Sequence, residues 1–338
     1  MHGAYAATLL STKTGMLELP DRNALEDAAR IVRQVLAPTP QYAWSGLAAA
    51  LGTTVWVKHE NHTPLAAFKV RGGATYLERL RRKQPGVTGL ISASRGNHGQ
   101  SLAFHARRQG MRCVIYVPHG NSVEKNVAMR TLGAEVREHG ADFQAAREEA
   151  DRVAAAERLH FVPALHSDIV LGVATYWAEF FNAVPDLDLV YVPIGQGSGI
   201  TACIAARNAL SSRTRIVGVV SDEAPCFALS FAAGRVIEAP ATTQLADGLA
   251  CRTPDADAVA VIGSAVERIA QVSDAEIAAA MRLLFATTHN VAEGAGAAPL
   301  AAALQERAQI GARTIGLPLT GGNVDSDLFA RVLAGGHR

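Results

Sequence analysis

At 338 residues the chain is long enough for about two domains of roughly 150 residues, and 49% hydrophobic residues can build a core for each. Thirty-two Lys and Arg stand against 31 Asp and Glu, and a formal charge of +1 leaves no field to hold nucleic acid or an anionic membrane surface. No apolar run approaches the ~18–20 residues that span a bilayer, and Cys113, Cys203, Cys226 and Cys251 lack disulfide or zinc spacing, so a cytoplasmic chain without a metal site is expected.

Residues 1–20 have no clear period and no basic region of the kind that opens a signal peptide, and they read as a loose lead-in. From Asp21, a cap residue, Leu25, Ala28, Ala29, Val32 and Leu36 recur at three- and four-residue steps. They predict a helix stopped by Pro38-Thr39-Pro40. Beyond it, β-rich runs at 54–58, 89–92, 113–117, 189–192, 215–220 and 314–319 alternate with helical segments such as 142–156 and 274–288. The alternation predicts an α/β fold with two open, twisted, mostly parallel sheets flanked by helices. Residues 80–160 are expected to form a small domain that grips substrate, and residues 1–79 with 161–338 a discontinuous large one.

Four turns carry chemistry. Phe68-Lys69-Val70-Arg71-Gly72 follows the first run by one loop, and Lys69, beside an aromatic ring at a small-residue helix start, can be desolvated into a nucleophilic amine. Ser94-Arg95-Gly96-Asn97-His98 follows a strand and opens a helix, where free N–H groups and the helix dipole favour an anion. Gly195-Gln196-Gly197-Ser198-Gly199 joins a buried strand to a helix as a phosphate cradle, because glycines let backbone N–H groups approach an anion. A dinucleotide site uses the same geography, but Ile200 stands where its third glycine belongs, so a nicotinamide enzyme remains a minor alternative. Thr320-Gly321-Gly322-Asn323 closes the last strand, with a hydroxyl beside two glycines that admit a flat ring.

In this order the four elements resemble the fold-type II pyridoxal phosphate enzymes, in particular the serine/threonine dehydratase branch, from about residue 21 to 334. The resemblance implies pyridoxal 5'-phosphate as cofactor, held covalently by Lys69 next to Phe68. It implies that the substrate carboxylate is gripped by Ser94, Arg95, Gly96, Asn97 and His98, with Asn97 also near the ring hydroxyl. It places the phosphate on Gly195, Gln196, Gly197, Ser198 and Gly199, and the pyridine nitrogen on Thr320. Glu293, in Val291-Ala292-Glu293-Gly294, is similar to the family's acid that faces the cofactor; an acid favoured by a helix N-terminus explains it equally well. Asp247 lies in an Asp-Gly turn of the family's kind.

Several positions depart from the pattern. Gln196 and Ser198 interrupt the phosphate glycines, Ala66-Ala67 replaces Gly-Ser, and Arg95 replaces a small residue that in the racemases is the catalytic serine, which disfavours racemisation. With no further domain after the Thr320 turn, feedback control by an amino acid is not expected. The reading is therefore a lyase that dehydrates a β-hydroxy-α-amino acid to a 2-oxo acid and ammonia, acting on a small-molecule substrate, with a homodimer left open. An outward Arg95 engaged in a salt bridge puts a phenylserine-like substrate first and threonine or serine next; an inward Arg95 selects 3-hydroxyaspartate. A β-replacement synthase and a non-catalytic cofactor-binding protein compete with the lyase.

Overall fold

The computed structural model describes residues 17–336; the expected lead-in lies, up to residue 16, outside them. One sheet contains β1 (Gln41–Ala43), β2 (Val55–His59), β7 (Leu189–Pro193), β8 (Arg215–Ser221), β9 (Arg268–Val272) and β10 (Ile315–Leu319), in the order β1-β2-β10-β7-β8-β9. The other contains β3 (Gly89–Ala93), β4 (Arg112–Val117), β5 (Glu135–Glu138) and β6 (His160–Phe161), in the order β5-β4-β3-β6. Only β1, against β2, runs antiparallel. Helices pack against both sheets, giving the α/β architecture that the alternating pattern predicts. Among the described residues no helix is long and apolar enough to cross a membrane.

The first helix spans Arg22–Arg33, capped by Asp21, whose carboxylate accepts from Ala24 N at 2.8 Å. It ends three residues before Leu36, short of the expected stop at Pro38, in a turn closed by Val35 N to Val32 O and Leu36 N to Val32 O. The helix Ser167–Ala183 is buried on most of its sides, and its Tyr176, Trp177 and Phe180 are wholly buried in the main core. Such a helix has no wet face, which is why its sequence shows little amphipathic period.

One polar knot interrupts this core and anchors the helix that Lys69 begins. Arg71 is fully buried; its Nε and Nη2 donate to Glu60 at 2.8 and 3.0 Å, and its Nη1 and Nη2 donate to Glu179 at 2.8 and 2.9 Å. Lys58 on β2 donates to Glu179 at 2.8 Å and to the Thr39 carbonyl at 2.7 Å. Two cations thus meet two carboxylates with their hydrogen-bonding capacity largely used, the condition under which buried charge is tolerated.

Candidate active site

All four chemistry-bearing turns leave the C-terminal ends of parallel strands, where open α/β sheets place their ligands. The segment after β10 is tied to the segment before Lys69: Phe68 N donates to the Thr320 carbonyl at 3.0 Å and Gly322 N to the Ala66 carbonyl at 2.9 Å. Lys69 and Thr320 are brought together by these bonds and by the adjacency of β2 and β10. One pocket is lined by Phe68, Lys69, Ser94, Arg95, Gly96, Asn97, His98, Gly195, Gln196, Gly197, Ser198, Gly199, Glu293 and Thr320, the residues to which the sequence assigns cofactor or substrate contacts.

Lys69 opens the helix Lys69–Lys83, and its Nζ donates to Ser198 Oγ at 2.8 Å, 4.8 Å from the Phe68 ring centre. Burial pushes its ammonium down to about 8, against the opposing pull of the Glu293 charge. A buried amine in that range is partly neutral at neutral pH and therefore nucleophilic. Across from it, the helix Ser198–Ala209 starts after Gly197, and no side chain caps its first amides. Those amides have no partner inside the helix and form a ready anion site. Gly197 sits at φ +93°, and a Cβ there would stand 2.8 Å from Ala258 Cβ, so glycine is required on both counts. A half-buried lysine with no carboxylate in salt-bridge range among the described residues, facing an uncapped helix start, fits an aldehyde that carries a phosphate. Gly197→Asp is expected to weaken pyridoxal phosphate binding by at least about tenfold, measured by equilibrium dialysis. The same change should lower the melting temperature of the apoprotein, because the positive φ strains any side chain; unchanged affinity would remove the phosphate from this turn.

The turn after β3 is more occupied than an open anion site. Ser94 Oγ accepts from Gly96 N at 3.0 Å and Gly99 N at 2.9 Å, so the hydroxyl expected to grip the substrate carboxylate is turned onto the turn's own amides. The Asn97 amide donates to Glu293 Oε1 at 2.6 Å and accepts from Asn323 Nδ2 at 2.8 Å. Burial, with the Lys69 charge beside it, pushes the His98 imidazole down to about 3, so it is neutral at neutral pH. Arg95 makes no ion pair among the described residues, and its Nε is buried without a hydrogen-bond partner, which corrects the expected outward salt bridge. Its side chain lines the catalytic pocket and an adjoining one with Phe143, Gln196 and Arg252.

Glu293 precedes the helix Gly294–Gln305, but its carboxylate caps no amide. It is buried and held by Asn97 and by Lys125, whose Nζ lies 3.2 Å from Oε2. Burial raises the Glu293 carboxyl and Asp247 adds to the rise, whereas Lys125 opposes it. Lys125 is not legible from the sequence: Ser122-Val123-Glu124-Lys125 reads as an ordinary capped helix start, and nothing local signals a buried ammonium. The Asp-Gly turn supplies its other partner, Asp247, at 2.7 and 2.9 Å.

Comparison with known proteins agrees with this geometry. Residues 32–321 match the model of the family described as "Pyridoxal-phosphate dependent enzyme", and the chain belongs to that family. It is 33% identical over 288 residues to the L-threonine ammonia-lyase of Geobacter sulfurreducens, covering 85% of this chain and 71% of that one. The processed form of threonine deaminase isoform 2 from Solanum lycopersicum superposes with a TM-score of 0.85 at 26% identity, over 96% of this chain and 93% of that one. Maize serine racemase gives 0.86 at 25% identity, over 94% and 98%. The chain is a pyridoxal-phosphate-dependent lyase with the type II fold, and the nicotinamide alternative is set aside.

Proposed function

We propose that this chain is an ammonia-lyase that dehydrates a β-hydroxy-α-amino acid to a 2-oxo acid and ammonia. The observation that carries the reading is the half-buried Lys69 amine, 2.8 Å from Ser198 Oγ, in one pocket with the 94–98 turn, the 195–199 cradle and Thr320. The threonine ammonia-lyase and threonine deaminase relatives support it.

When bound, pyridoxal phosphate supplies the electron sink that makes the α-carbon acidic. The chain's own groups then select the reaction. Lys69, partly neutral, is the base within reach of an α-proton. Thr320 offers a neutral hydroxyl, which does not protonate a pyridine nitrogen, and this favours loss of a β-substituent over transamination. Asp247 and Glu293, the carboxylates that line the pocket, are both engaged by Lys125, and neither stands free as a second base. Arg95 puts a guanidinium where the racemases carry their catalytic serine hydroxyl, so racemisation is not supported.

Phe68 and Phe143 give the pocket an apolar wall that suits a methyl or phenyl β-substituent, which keeps phenylserine and threonine in the first reading. The unpaired Arg95 favours a second reading, a substrate with a β-carboxylate such as 3-hydroxyaspartate, held by a bidentate pair. The test compares 2-oxo acid release from threo-phenylserine, threonine, serine and threo-3-hydroxyaspartate, then repeats it with Arg95→Ala. Release from the uncharged substrates, changed less than about tenfold by the substitution, supports the first reading. A preference for hydroxyaspartate that vanishes in Arg95→Ala transfers the assignment to the second. Activity on none of the four overturns the dehydratase reading.

A further inference from the structure

One buried cation joins the two sheets across the pocket. Lys125 belongs to the helix Val123–Thr131, which packs beside the four-stranded sheet, yet its ammonium reaches Asp247 and Glu293, carried by segments of the six-stranded one. Burial alone would lower its pKa; Asp247 and then Glu293 outweigh that and keep it protonated. The backbone of the 94–98 turn rests on its stem, since a Cβ on Gly96 would stand 2.5 Å from Lys125 Cδ. Through Glu293 the ammonium is one hydrogen bond from the Asn97 amide, and Asn97 is in turn braced by Asn323 on the segment after β10.

We propose that Lys125 is a positioning residue: it fastens the two sheets together across the pocket and, through the Glu293 carboxylate, fixes the Asn97 amide at the start of the turn that grips the substrate. The last clause rests on the function proposed above; the clamp itself does not. A merely structural contact between the layers would be served as well by an apolar side chain, because a buried ion pair gains little net stability over well-packed hydrophobic residues. The placement of this charge on the two carboxylates that line the pocket, with Asn97 on one of them, is what an apolar residue would not reproduce.

The charged groups facing Glu293 are Lys125 from its helix, Asp247 from the Asp-Gly turn and Lys69 from the opposite wall; Arg95 lines the same pocket, and His98 there is neutral. Without Lys125 the charged form of Glu293 loses its main support against burial and Asp247, so its carboxyl is raised further. The Glu293 negative charge raises the pKa at Lys69, so as that charge diminishes, titration at the Lys69 nitrogen moves down.

The experiment uses holoprotein carrying Lys125→Met, Lys125→Arg, Glu293→Gln and the double change Lys125→Met/Glu293→Gln. The readouts are the pH titration of the bound cofactor's visible band, kcat and KM, and melting of the apoproteins. In Lys125→Met the titration midpoint should fall by about half a pH unit or more, and kcat by roughly 10²-fold with KM little changed. Glu293→Gln should shift the midpoint the same way, and the double change should shift it no further, since the two residues act as one unit. Lys125→Arg should keep the parent midpoint. A Lys125→Met protein that melts lower but titrates and turns over like the parent overturns the proposal, as does full additivity in the double change. Should Lys125→Met fail to fold, Lys125→Arg and Glu293→Gln decide by the same titration. The spectrum needs no substrate, so a wrong substrate class leaves the midpoint result standing.

Discussion

Lys69→Ala should give a folded protein that binds pyridoxal phosphate only reversibly, is not labelled by borohydride reduction and releases no detectable 2-oxo acid. The amine it removes is the one in the pocket whose nitrogen desolvation leaves partly neutral. A volume-conserving change, Lys69→Met, adds a sign that can be checked on the apoprotein. The folded chain binds the Lys69 proton more weakly than the unfolded chain, at about 8 instead of 10.5. The resulting destabilisation is full below about 8 and vanishes as pH rises through 10.5. Lys69→Met should therefore melt above the parent at pH 7, with the gap closing near pH 11. A reducible cofactor bond surviving in Lys69→Ala would move the attachment to another lysine.

Arg71→Met should cost stability instead of chemistry. It leaves the wholly buried Glu60 without its cation, and Glu179 with Lys58 alone. Breaking one side of such a buried cluster costs about 3–5 kcal/mol, a drop on the order of 10 °C in melting temperature for a chain of this size. Cofactor affinity measured well below that melting point should be nearly that of the parent. Burial works to raise the Glu179 carboxyl, but Arg71 and Lys58 outweigh it and hold it below the ordinary 4.5. Its stabilising contribution is thus present above pH 4.5 and is lost as pH falls through the lowered value. Arg71→Met should lose that part of the acid transition; an unchanged melting temperature would mean that the knot is not structural.

The six strands legible in the sequence, β2, β3, β4, β7, β8 and β10, are the interior strands of the two sheets. The four that are not, β1, β5, β6 and β9, are the four edges. An interior parallel strand is covered on both faces and reads as an unbroken apolar run, whereas Glu135-Val136-Arg137-Glu138 and Arg268-Ile269-Ala270-Gln271-Val272 carry the charges that keep an edge from pairing further. The candidate residues are legible because each stands in a turn whose composition serves an anion or an amine better than it serves packing. Lys125 and the inward course of Arg95 are not. Which carboxylate a lysine meets depends on Asp247 and Glu293, more than a hundred residues away, and whether an arginine finds a partner depends on what lies across the cleft. The Arg71 motif position is visible, but its partners Glu60 and Glu179 show that it serves the core and not the substrate.

The pairing of β10 between β2 and β7 has a consequence for biosynthesis. Val55 lies in register with Ile315, and Leu189 with that same residue, so the centre of the large sheet is filled only after a segment far downstream of β2 and β7 has left the ribosome. Until then Phe68 lacks the Thr320 carbonyl that ties down the start of the lysine helix. The smaller sheet, complete by Phe161, can assemble while the rest is still being translated, as N-terminal units generally do. Cofactor capture thereby waits for β10, and a nascent chain arrested before residue 315 presents Lys69 to solvent without a finished pocket around it.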